Sequence, residues 1–214
     1  MNKFDEILKE LRAKIDDLVK NNLSYFDLYD VKDGDTPEII AFNYYGDSNL
    51  HWVVLLMNEI LDPRYDWPLD TVQLNDYTVQ LWKDVDGIHH YEDSNGNQIN
   101  GNVQINASSF TGYSAGQVVY NSSGVGKGFI TSVPSATSII VTATEGGFKA
   151  DDVISNNSMG TNKVTITSTT VLSGTPVTNL IYEDEQNENK RRIKLLKPTY
   201  VSIISSSLEN KLAE

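Results

Sequence analysis

Residues 29–74 read YDVKDGDTPEIIAFNYYGDSNLHWVVLLMNEILDPRYDWPLDTVQL, and this stretch decides the fold of the 214-residue chain. Phe26, Leu28, Tyr29 and Val31 form a short β-prone run, and Lys32-Asp33-Gly34-Asp35 supplies turn residues that stop it, so a strand and a tight turn are expected. Thr36 offers a side-chain oxygen as helix N-cap, and Pro37 stands at the first helical position, where a missing N–H costs nothing. Ile39, Ile40, Phe42 and Asn43 give that helix an apolar face, and Tyr45-Gly46-Asp47 closes it with Gly46 as the left-handed residue. Ser48 caps a second helix. There Leu50, Val53, Val54 and Met57 recur at helical spacing while Trp52, Leu55 and Leu56 widen the stripe, so the helix is expected to be mostly buried as far as Asn58. Asp62-Pro63, Asp66 and Trp67-Pro68 read as a compact loop, and Thr71-Val72-Gln73-Leu74 alternates like a strand able to pair with the first. Strand, two helices and strand is the expected order.

Those residues carry a resemblance. Tyr29-x-Val31-x-x-Gly34-Asp35-Thr36, then Ile40-Ala41, Tyr44-Tyr45-Gly46, Trp52, Leu56, Asn58 and Asp62-Pro63, resemble a LysM module, the small βααβ domain best known for binding N-acetylglucosamine polymers. More narrowly, Pro37 to Trp67 resembles the small wedge subunit of contractile-tail phage baseplates, the gene product fifty-three family of the T-even phages, which embeds a LysM-like fold in a structural protein. A second patch, Asn187-Glu188-Asn189-Lys190-Arg191-Arg192-Ile193-Lys194-Leu195-Leu196, is similar to that family's closing strand and the helix after it. The resemblance implies a structural baseplate subunit, assembled in the host cytoplasm and residing in the virion tail, whose partners are other baseplate wedge and tail proteins in a hetero-oligomeric assembly. The alternative is glycan binding in a LysM groove, which would use Gly34, Asp35 and Thr36 on one side and Asn58, Glu59 and Ile60 on the other. Pro68-Leu69 stands where LysM modules have Pro-Gly, and Pro37 where they usually have Leu, a feature shared with the wedge proteins. Fold analogy alone licenses no claim about sugar.

Composition narrows the function classes. With no cysteine, neither disulfides nor thiolate chemistry nor Cys-ligated zinc is available. A formal net charge of −12 argues against a nucleic-acid face and favours basic protein partners. No apolar run of signal-peptide or membrane-spanning length occurs, so a soluble, cytosolically made protein without membrane insertion is expected. Hydrolase, zinc-protease, phosphate-loop and dinucleotide signatures are absent. Gly124-Val125-Gly126-Lys127-Gly128 lacks the Lys-Ser/Thr ending of a phosphate loop and sits among strand-like pieces. Glu59, Asp62 and Asp66 suit turn chemistry better than a glycosidase carboxylate pair. No enzyme activity and no cofactor are expected.

Outward from the central stretch, Phe4, Ile7, Leu8, Leu11, Ile15, Leu18 and Val19 predict an amphipathic helix within residues 1–24, packing on the chain's own core or on another subunit. Residues 25–99 hold the LysM-like core and a following hairpin. Asp84-x-Asp86-Gly87-Ile88-His89-His90-Tyr91-Glu92-Asp93 invites a metal reading, and Asp93-x-Asn95-x-Asn97 opens like a calcium loop, but Gln98 and Gln104 stand where that loop needs Gly and Glu. Asn95-Gly96 instead marks a hairpin turn ahead of Gln98-Ile99. Residues 100–176 are poor in charge and rich in Gly, Ser, Thr, Asn and Val. Strand-like pieces at 117–120, 128–132, 138–143, 152–154 and 163–167 predict an inserted small all-β barrel or sandwich. Residues 177–214 return with an acidic run Glu183-Asp184-Glu185 and a basic run Lys190-Arg191-Arg192, read as exposed surface. A strand at Ile193, Leu195 and Leu196 follows, ended by Pro198, and then a helix with Tyr200 or Val201, Ile204 and Leu208 on its apolar face. The fold class is α+β. Trp52 is assigned to the core. Tyr65 and Trp67 on the proline-bounded loop are the aromatic anchors expected at a partner interface, together with Leu11, Ile15, Leu18, Ile204 and Leu208.

Overall fold

The computed structural model describes residues 24–122, 125–156, 162–202 and 205–206. The chain divides into two compact units, one made of residues 1–71 and 186–214 and the other of residues 72–185. The composition shifts had suggested boundaries at 100 and 176.

In the first unit, strand β1 (Phe26–Asp30) leads through the Lys32–Asp35 turn into helix α1 (Pro37–Tyr45). The caps are as the sequence predicts. Thr36 Oγ1 accepts from Ile39 N at 3.3 Å, and Gly46 at φ 80° returns its N–H to Phe42 O. The buried face of α1 is Pro37, Ile40 and Ala41, whereas Ile39 and Phe42, expected to face inward, lie exposed. Asp47 rather than Ser48 caps the next element, its carboxylate accepting from Asn49 N at 2.9 Å, so Ser48–Leu50 forms a 3-10 turn ahead of helix α2 (His51–Met57). Helix α2 is apolar on two sides. Val53, Leu56 and Met57 pack with Phe26, Leu196 and Val201, while Val54 joins Val31, Ile40, Ala41, Trp67, Ile193 and Leu195. A single turn, α3 (Pro63–Asp66), follows under an Asp62 N-cap.

The strand that pairs with β1 is not Thr71–Leu74. Those residues open helix α4 (Thr71–Trp82), whose buried positions Leu74 and Thr78 are four apart; a four-residue alternation is too short to separate period 2 from period 3.6. The partner comes from the other end of the chain. Strand β11 (Arg192–Leu196) runs antiparallel to β1, from Phe26↔Leu196 to Asp30↔Arg192. Residues 198–202 are helical after it. The expected amphipathic N-terminal helix with Leu11, Ile15 and Leu18, and the positions Ile204 and Leu208, lie outside the described residues.

In the second unit, β2 (Ile88–Glu92), β3 (Gln98–Ile99) and β10 (Thr175–Thr178) form a sheet in the order β10-β2-β3. Strands β4 (Asn102–Ala107), β5 (Val118–Asn121), β6 (Gly126–Ser135), β7 (Ser138–Gly146), β8 (Val153–Ser155) and β9 (Val164–Ser173) close an antiparallel barrel in the order β4-β7-β6-β5-β8-β9. Alternation does this work: in β4, Val103, Ile105 and Ala107 point inward, joined by Val119, Ile130, Ile139, Val141, Ile154 and Ile166. Of the two architectures expected here, the barrel is the one formed. The fold is mixed α and β.

Helix α5 (Asn179–Arg191) returns the chain. It occupies the stretch expected to be merely charged surface. Its buried positions are polar: Asn179, Glu183 and Asn187, each four residues after the last. A search for apolar periodicity passes over such a helix.

Candidate functional site

Two asparagines organise the first unit. Asn58, just beyond α2, donates from Nδ2 to Val54 O (2.8 Å) and Lys194 O (2.9 Å) and accepts from Lys194 N at Oδ1 (2.8 Å). It therefore satisfies both backbone groups of a β11 residue, as a neighbouring strand would. Asn187, 2% exposed, does the same for Leu69, accepting from its N–H at 2.7 Å and donating to its carbonyl at 2.9 Å. Arg191 reinforces the same turn. Its guanidinium donates to Val31 O, to Leu69 O and to Asp33 Oδ1 at 2.7 Å, and also pairs with Glu188. The loop after β1, the loop after α3 and the C-terminal end of α5 are thereby fastened together.

Trp67 belongs to this framework. It is 7% exposed, packs with Val31, Ile40, Val54 and Ile193, and donates from Nε1 to Asp35 O at 3.0 Å. The expectation of a partner-facing Trp67 is corrected: the proline-bounded loop folds its indole inward, where the N–H meets a backbone carbonyl. Tyr65 sits on α3. Trp52, half-buried, packs against the cluster of Phe26 and Val53.

The residues of the glycan reading are engaged within the chain. Thr36 caps α1, Asp35 accepts at Oδ2 from Tyr29 Oη (2.8 Å) and Lys32 N (2.9 Å), and Asn58 is committed to Val54 and Lys194. Ile60 packs against the Trp67 cluster; Gly34 (φ 84°) and Glu59 (φ 57°) take left-handed turn conformations. The acidic residues of this region also serve turns. Asp66 accepts from Leu61 N and Asp62 N, and Asp62, beside the Arg64 guanidinium, is held below the usual carboxylate range.

In the second unit a cavity of about 100 Å³ is lined by Trp82, Asp84, His89, Asn121 and Asp152 among others. Lys149 Nζ lies 2.8 Å from Asp84, and Asp152 accepts from Asn121 and Lys149 N. Burial raises the Asp152 carboxyl above its ordinary value. Beside it, His89 stacks on Tyr182 at 3.8 Å and meets His90 Nδ1-to-Nδ1 at 2.8 Å, while His90 Nε2 lies 3.0 Å from Glu92. Burial, then the neighbouring imidazole, lowers the His89 pKa. Asp93 Oδ1 accepts from Asn95 N and Asn97 N, which makes the calcium-like triplet a hairpin turn with Gly96 at φ 78°. Among the described residues no group of three or more His, Asp or Glu side chains is placed to hold a metal ion, and no helix is long and apolar enough to cross a membrane.

What the sequence left unseen is Asn187 and Arg191 as fasteners, although both lie in the patch that resembled the wedge family. The available signal was the four-residue spacing of Asn179, Glu183, Asn187 and Arg191 within a polar run. The chain is 28% identical over 90 residues to the baseplate wedge protein gp53 of Enterobacteria phage T4. That alignment spans 41% of this chain and 46% of the T4 protein, so the match extends over about half the relative's length. A family model described as base plate wedge protein 53 matches residues 5–129, more than half of the sequence. The chain belongs to the base plate wedge protein 53 family.

Proposed function

We propose that this chain is a structural subunit of a contractile-tail baseplate wedge, joining larger wedge proteins through protein–protein interfaces rather than performing chemistry. Membership of the wedge family carries the proposal. The first unit supports it: β1, α1, α2 and β11 follow in a βααβ order, with the second unit inserted before the closing strand, and we read this as the LysM-like core put to structural use. The side chains of Asp35, Thr36 and Asn58 from the glycan reading are spent on internal hydrogen bonds, whereas apolar side chains face outward. Phe42 is 61% exposed, Ile39 precedes it by one helical turn, and Leu61 is 70% exposed. With Leu11, Ile15, Leu18, Ile204, Leu208 and Tyr65 they form the set of contacts we assign to wedge partners, inside the virion tail.

Mixing the purified chain with the other wedge proteins of the same phage, followed by sedimentation, tests the proposal. Incorporation into a defined hetero-oligomer is expected. Wedges that form fully without the chain, while it sediments alone, would overturn it.

A further inference from the structure

The two edges of the β1–β11 sheet are treated differently. Lys197 N donates to Tyr25 O and Val31 N to Arg191 O, so in the antiparallel register the odd-numbered residues of β1 turn their backbone groups toward β11. Phe26, Leu28 and Asp30 must therefore turn theirs away. On β11 the equivalent outward residue is Lys194, and Asn58 takes up both its N–H and its C=O. On β1, among the described residues, no hydrogen bond reaches the backbone of Phe26, Leu28 or Asp30. Among the described residues, the β11 edge is closed at its centre by a dedicated side chain and the β1 edge is open. The open edge has no proline or bulge across its five residues, and Leu28 at its centre is 50% exposed.

We propose that the open edge of β1 accepts an extended, basic segment of another wedge polypeptide as a third strand; this rests on the wedge-subunit reading. Charge selects the occupant. Asp27 and Asp30 are both exposed on the strand; Asp27 accepts from Tyr44 Oη at 2.6 Å and lies 3.8 Å from Lys197 Nζ, and Asp30 has no ion pair among the described residues. Lys or Arg at the cross-strand positions would complement them, where like charges would be destabilising. A second copy of the chain fits poorly. It would bring the same aspartates and a second net charge of −12 to the contact.

The test uses the full chain with the purified wedge proteins of its phage. Leu28→Pro removes only an outward N–H, which an edge strand tolerates, and blocks an added strand. Association at least tenfold weaker than for Leu28→Ala is expected, with Asp30→Lys also weakening it, more so at low salt. Amide exchange on the wild-type complex gives a reading that does not depend on the proline variant folding: the Phe26, Leu28 and Asp30 amides should become protected on assembly. Assembly of a folded Leu28→Pro chain at wild-type affinity, or unchanged exchange at those amides, would overturn the strand proposal while leaving the wedge role intact. Protection that appears with the chain alone and rises with its concentration would also overturn it, in favour of self-pairing. Failure of the wild-type chain to associate at all would instead remove the wedge reading beneath it.

Discussion

At the scale of single residues, side-chain amides stand in for missing strands. Asn58→Ala leaves Lys194 N and O and Val54 O without their partner, at a cost of about 2 kcal/mol. A thermal melt should show the first unit losing several degrees. Asn58→Asp keeps the acceptor for Lys194 N but sets a carboxylate oxygen against the carbonyls of Val54 and Lys194, so it should be less stable than Ala. Trp67→Phe keeps most of the packing and loses the bond to Asp35 O, costing about 1 kcal/mol, whereas Trp67→Ala should cost about 3–5 kcal/mol. A Trp67→Ala chain as stable as wild type would show that the indole is not the core anchor described above. The caps Thr36 and Gly46 were readable because capping depends on one residue type at one position. The placement of Trp67 was not, because burial of a loop aromatic depends on Val31, Ile40 and Ile193, which are distant in sequence.

At the scale of elements, the same contrast explains which were legible. Helix α2 and the barrel strands announce themselves through apolar periodicity. Helix α5 does not, because its inward face is Asn179, Glu183 and Asn187, each bound to a specific polar partner: Asp84 O, Trp82 Nε1 and the backbone of Leu69. Thr71–Leu74 misled for the opposite reason, alternating by chance over too few residues. Gly46→Ala meets no steric obstacle but keeps φ at 80°, so helix α1 should be destabilised by about 1 kcal/mol in a melt. The histidine pair on β2 makes a pH prediction. His89 is held below its ordinary 6.5, facing His90, Glu183, Tyr182 and Trp82, with Glu92 beyond His90. Its folded pKa being depressed, the unfolded chain binds more protons in that window. The contribution is present above about pH 6.5 and is lost as pH falls. The second unit should therefore melt at lower temperature on mild acidification. His89→Phe, which keeps a ring to stack on Tyr182, should flatten that dependence; an unchanged slope would remove the histidine from it.

At the scale of the whole molecule, each apolar cluster of the described residues is made of residues from one unit. The clusters of the first unit draw on residues 26–67 and 193–201, and that of the second on residues 88–166. Asn187 holds Leu69, so the chain leaves and re-enters the first unit at neighbouring points. Replacing residues 72–185 with a short Gly/Ser linker should leave a cooperatively folding first unit, read by circular dichroism and a single thermal transition. Loss of any transition would show that the inserted unit is needed for it to fold. The composition change near residue 100 made the barrel legible, but not the inclusion of α4, the hairpin and part of α5 in the same unit, since those carry ordinary charged sequence.

The most direct measurement for the wedge role is gradient sedimentation of extracts in which the phage's baseplate proteins are produced with and without this chain. A wedge subunit predicts that the tagged chain migrates with the assembled baseplate fraction at a fixed stoichiometry, and that this fraction disappears when the chain is omitted. Baseplates that assemble normally in its absence, with the chain left at the top of the gradient, would contradict it.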